Sequence, residues 1–102
     1  MIVVRFVFQA KQGKAGEVVR GFQENVEMMR RIAGSNIKVR LLTDLSGPFD
    51  TVVQEIEMES LAHWEEVRAK VFSDPEFQEA QEGRETPVLS GRTEFYTLEA
   101  VF

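Results

Sequence analysis

The chain has 102 residues, 43% of them apolar and 28% charged, with a net charge of −5. That is enough for one domain and too little for two, at a composition that excludes disorder. The acidic balance argues against nucleic acid and anionic membrane as partners. The absence of cysteine removes disulfides, thiolate nucleophiles and cysteine-based metal sites, and suits a reducing cytoplasm.

Residues 2–10 are rich in Val, Ile and Phe and read as a first strand. Ile2, Val4, Phe6 and Phe8 share one face, and Val3, Arg5, Val7 and Gln9 share the other. Arg5 inside this stretch, with no basic lead before it, makes a strand the better reading than a signal peptide. No apolar run in the chain approaches the ~20 residues that a membrane helix needs. A Gly- and Lys-containing connection then leads to a helical period over 15–33. Val18, Phe22, Val26, Met29 and Ala33 form its apolar stripe, with Val19 and Ile32 widening it. Arg30 and Arg31 suit the negative end of the helix dipole, and Gly34 suits the position after it.

Residues 37–59 predict a hairpin, IKVRLLTDL and DTVVQEIEME joined by SGPF. Setting Leu45 opposite Asp50 pairs Ile37 with Met58 and Val39 with Ile56 on one face. The other face then pairs Lys38 with Glu57 and Arg40 with Glu55. A slip of one residue destroys both patterns. Ser60 caps a second helix with Leu61, Trp64, Val67 or Arg68, Val71 and Phe72 on its stripe. Asp74 and Pro75 restart it as a shorter helix reaching about residue 83 or 85, burying Phe77. Residues 86–91 read as a loop, and 92–102 as the last strand.

The order β-α-β-β-α-β predicts one α+β domain spanning 1–102. Its plan is ferredoxin-like, a four-stranded antiparallel sheet in the order 4-1-3-2 with two helices on one face. The helix-covered face takes Ile2, Val4, Phe6, Phe8, Ile37, Val39, Leu41, Ile56 and Met58. The open face keeps Val3, Arg5, Val7, Arg40, Leu42, Val53 and Glu55, a mixed surface with an apolar patch. Docking two such faces together predicts a homodimer.

Three segments carry a family likeness: IVVRFVFQAKQGKAGE, SLAHWEEVRAKVFSDPEFQEA and SGRTEFYTLEA. Through them the whole chain resembles the dimeric α+β-barrel superfamily, closest in pattern to its NIPSNAP-like and antibiotic-biosynthesis-monooxygenase-like groups. The resemblance implies a homodimer with facing sheets and, in members acting on small molecules, a pocket between sheet and helices. It also implies a catalytic Asn on strand one, a Trp on helix two and, in haem-degrading relatives, a His on helix two. Here strand one offers Arg5 and Gln9, Trp64 is present, the sole His is His63, and the haem-ligand segment reads FQEAQ with Gln81. No haem or other cofactor is therefore expected.

The candidate ligand-pocket residues are Arg5, Arg40, Glu55, His63 and Trp64. The strand order brings Arg5 and Arg40 to Glu55. They either hold an anionic ligand inside the barrel or form an ion-pair network fixing the dimer register, and the adjacent acids favour the second. Trp64 is a pocket wall or simply core. His63 is a general base or a half-exposed histidine at the stripe's edge. A single His and no Cys give metal binding no support, and no phosphate loop or nucleophile elbow is present. The functional expectation is a small homodimer that binds a small organic ligand in a pocket between sheet and helices. The alternative is a cofactor-independent monooxygenase-like enzyme acting on a small aromatic or polyketide-like substrate.

Overall fold

The computed structural model describes residues 1–34, 37–82 and 86–102. Its strands are β1 (Ile2–Ala10), β2 (Lys38–Thr43), β3 (Thr51–Met58) and β4 (Val88–Thr97). Its helices are α1 (Ala15–Ala33), α2 (Leu61–Ser73) and α3 (Pro75–Gln81). The strands form one antiparallel sheet in the order β2-β3-β1-β4. This is the ferredoxin-like plan, with a short third helix continuing from the end of α2.

The hairpin adopts the predicted register, with Lys38 opposite Glu57, Val39 opposite Ile56 and Arg40 opposite Glu55. Its connection is held by the Thr51 N–H, which donates to Asp44 Oδ1 at 3.0 Å. The two caps form as the sequence requires. Ser60 Oγ accepts from the His63 N–H at 3.1 Å, and Asp74 Oδ1 accepts from the Glu76 and Phe77 N–H groups.

Apolar burial concentrates on the covered face. Val4, Ile56, Met58, Trp64, Val67 and Met29 belong to one cluster. Ala10, Val18 and Val52 form a second one near the start of α1. Each fully buried branched side chain stabilises the fold by roughly 1.5–3 kcal/mol. No helix among the described residues is long and apolar enough to cross a membrane.

Four expectations need correction. β4 begins at Val88, not Arg92, because Val88, Ser90 and Gly91 already pair with β1. It ends at Thr97 because Thr97 pairs with Ile2, where β1 itself begins. On α2, Trp64, Val67 and Val71 are buried, whereas Leu61 and Phe72 are exposed, since they lie about a third of a turn off that line. The open-face patch is also smaller than expected. Val7 and Val53 pair with each other at the sheet centre and are only 8% exposed, flanked by longer neighbours, while Leu42 on the edge strand stays open. α3 ends at Gln81, and the rest of its predicted extent lies outside the described residues.

Candidate functional site

Strand parity builds the floor of the site. On β3, Val52, Gln54, Ile56 and Met58 point to the helices. Gln54 pairs with Phe6 on one side and Leu41 on the other, so an amide stands in the middle of an apolar face. It is 7% exposed and is the buried polar residue of the core. Among the described residues its side chain has no hydrogen-bond partner. The amide is not sealed from solvent, since among the described residues the fully buried side-chain atom without a partner is His63 Nδ1, so Gln54 must face an opening in an otherwise apolar face.

The opening lies directly above it. A cleft of about 180 Å³ opens between the sheet and the helices, with Gln54, Phe6, Phe8 and Ile56 from the strands on its floor. Phe22, Asn25 and Met29 line it from α1, Trp64 and Val67 from α2, and Phe77 from α3. The rings support one another. Phe6 and Trp64 have centroids 5.7 Å apart, Phe8 and Phe22 5.1 Å. Gly91 of β4 backs the floor. A Cβ there would come within 2.6 Å of the Phe8 ring, so only glycine lets that ring lie where it does. At the rim, Phe72 meets Phe77 edge-on at 5.3 Å, and the Arg68 guanidinium sits over the Phe72 ring, also at 5.3 Å.

The opposite face of the sheet carries a different arrangement. Glu55 binds Arg40 across one strand boundary and Arg5 Nε at 3.4 Å across the other. Arg5 Nη1 donates to Glu94 of β4 at 2.8 Å. Glu94 also accepts from Arg92 Nε at 3.0 Å and from the Tyr96 hydroxyl at 3.1 Å. Lys38 and Glu57 lie 3.9 Å apart further along the same face. The hydrogen bonds from Arg92 and then Arg5 hold the Glu94 carboxyl below the usual carboxylate range. The hydrogen bond to Glu94 raises Arg5, against the opposing effect of desolvation.

The structure therefore divides the sequence-derived candidates. Arg5, Arg40 and Glu55 come together on the open face, as anticipated, and away from the cleft between sheet and helices. Trp64 is both core and cleft wall. His63 lies outside the cleft lining. Its Nδ1 is buried and, among the described residues, has no partner. Three participants escaped the sequence reading: Gln54, Arg68 as a rim residue, and Glu94 as the second anchor of Arg5. Alternation through Ile56 and Met58 already put Gln54 on the covered face, so its signal was present. Among the described residues no group of three His, Asp or Glu side chains converges on a metal position.

No family model matches the chain, and no curated protein matches it. Solved structures do. The chain is similar to an uncharacterized NIPSNAP domain protein from Burkholderia xenovorans, at 22% identity and a TM-score of 0.80, covering 98% of this chain and 96% of that one. It is similar to an antibiotic-biosynthesis-monooxygenase-like protein from Deinococcus radiodurans, at 12% identity and a TM-score of 0.69, covering 100% and 96%. It is also similar to a variant of MhuD with two manganese protoporphyrin IX molecules bound per active site, at 11% identity and a TM-score of 0.76, covering 100% and 98%. At these identities the likeness is one of fold, and the fold is the one that its sequence resembles, that of the NIPSNAP-like and antibiotic-biosynthesis-monooxygenase-like proteins.

Proposed function

We propose that this protein binds a small aromatic ligand in the cleft between sheet and helices, and does so as a homodimer. The unpartnered amide of Gln54 on an otherwise apolar, ring-lined floor carries the reading. A few convergent polar groups in an apolar concavity are what a specific small-molecule site needs. An apolar cavity of roughly 150 Å³ is enough to take up benzene, so about 180 Å³ suits one ring or two fused rings.

Binding is favoured over catalysis because the described lining of the cleft holds no His, Asp or Glu to act as a base. The monooxygenase-like alternative is supported by the fold shared with the Deinococcus radiodurans protein and by Trp64 in the cleft wall. Dioxygen uptake in the presence of a bound polyphenol would establish it.

The dimer reading rests on the open face. Across the sheet its charges run Arg40, Glu55, Arg5, Glu94, alternating in sign. A second copy related by a two-fold axis can set each arginine against a glutamate. β4 supports the same reading, since Tyr96 on this face is about half exposed. The lack of cysteine fits a reducing cytoplasmic setting.

A fragment screen of neutral aromatics followed by NMR tests the site. The Gln54 side-chain amide and the Trp64 indole should shift together. Shifts scattered over the surface, or confined to the open face, would overturn the reading. Sedimentation equilibrium tests the dimer, and a monomer at micromolar concentration would overturn that part.

A further inference from the structure

The charge pattern of the cleft narrows the ligand class, on the reading just given that the cleft is a binding site. The chain as a whole is acidic, at −5. The cleft departs from that balance. Among its described lining residues Arg68 carries the only formal charge, and no acid lines the cleft. The other described arginines that pair do so elsewhere. Arg5, Arg40 and Arg92 are bound to glutamates on the open face, and Arg31 is bound to Glu76. Arg68 has no carboxylate partner among the described residues. Its guanidinium lies over the face of Phe72 at the rim.

A guanidinium stacked on a ring keeps its in-plane N–H donors free, because the ring takes up only the face. Arg68 is thus a fixed cationic fork beside an apolar slot, and a planar carboxylate is its natural complement. Below it, Gln54 offers one acceptor and two donors on the cleft floor, without a partner among the described residues.

We propose that the ligand is a small arene carboxylate. Its ring lies among Phe6, Phe22 and Trp64. Its carboxylate meets Arg68 at the rim, and a polar ring substituent, where present, meets Gln54. A neutral amide of the same shape fits the slot and can accept from Arg68 through its carbonyl oxygen, but forgoes the ion pair and the bidentate geometry. A matched cation is repelled.

Three matched compounds test this: benzoate, benzamide and benzylammonium, each titrated calorimetrically and by the fluorescence of Trp64, the single tryptophan. Benzoate should bind about five- to tenfold more tightly than benzamide, as a charge-assisted pair at a rim allows, and benzylammonium should bind most weakly. The preference should shrink as salt rises. Arg68→Gln should lower benzoate affinity more than benzamide affinity and so remove the preference between them, while Arg68→Lys should keep part of it. Arg68 is exposed, so both variants should fold as the parent does. Equal binding of benzoate and benzamide, with Trp64 responding to both, would overturn the arene-carboxylate inference and leave the cleft reading standing. Failure of every aromatic to perturb Trp64 would overturn both.

Discussion

The two faces of this sheet treat polar groups in opposite ways. On the open face each charged residue of β1 and β3 has an opposite charge beside it. Glu55 serves two arginines, and Arg5 serves two glutamates. On the covered face one amide, Gln54, is buried among aromatic and aliphatic side chains with no partner among the described residues. A conspicuous cluster of charges is therefore the less informative region. Its charges already pair with one another within the sheet. An uncharged polar group that faces an apolar cleft without a protein partner is the better pointer to a ligand, because the fold gains nothing from it.

The contrast can be broken at either face. The largest difference should come from truncation. Ile56→Ala on the covered face should cost about 2–5 kcal/mol, since Ile56 is almost wholly buried. Arg40→Ala on the open face should stay within about 1 kcal/mol, since the Arg40 side chain is 67% exposed. Urea denaturation of the two variants measures this directly, and equal losses would show that the open face is more than a solvated ladder.

Next in size is Gly91→Ala. The added Cβ meets the Phe8 ring, and overpacking of this kind costs about 1–3 kcal/mol. The displaced ring also moves into the cleft, so aromatic binding should weaken along with stability. A variant that melts lower yet binds unchanged would separate Phe8 from the site.

Smaller still is Glu55→Gln. Arg5 keeps Glu94 when Glu55 is neutralised, so the protomer should lose no more than about 1 kcal/mol. If two open faces dock, the same change removes an interfacial charge, and the loss should appear as a weaker dimer. A double-mutant cycle with Arg40→Leu, run by sedimentation and by thermal unfolding, sharpens the comparison. Coupling in the first readout and little in the second is the predicted pattern.

The smallest effect is on pH dependence. Arg92 and Arg5 hold the Glu94 carboxyl below its ordinary range in the folded chain. That stabilisation is fully present above the unfolded carboxyl pKa of about 4, and it is lost as pH falls through the lower folded value. The parent and Glu94→Gln should therefore differ most in melting temperature near neutrality and converge in acid. A gap that widens in acid would reverse the assigned sign.

How much of this was legible in the sequence depends on how local the signal is. The hairpin register was readable because Val39, Ile56 and Met58 fix one face while Arg40 and Glu55 fix the other. The caps at Ser60 and Asp74 were readable because a cap needs only two or three neighbouring residues. The start of β4 was not. Gly91 reads as a loop residue until the Phe8 ring that it accommodates is seen from another strand. Glu94 was missed for the same reason, since its partners depend on how β4 pairs with β1, seventy or more residues away. Gln54 was readable in position but not in meaning. Parity alone puts it on the covered face, yet only the packing of α1 and α2 leaves a cleft above it rather than a hydrogen-bond partner.

Gln54→Leu tests the central claim most directly, with stability and aromatic binding measured on the same sample. Leucine fills the position without a polar group. If Gln54 is kept for a ligand, the variant should be at least as stable as the parent and lose the extra affinity of a ring-hydroxylated arene such as 4-hydroxybenzoate over benzoate. A variant that is destabilised, or one that binds 4-hydroxybenzoate as the parent does, would show that Gln54 serves the fold and not the site.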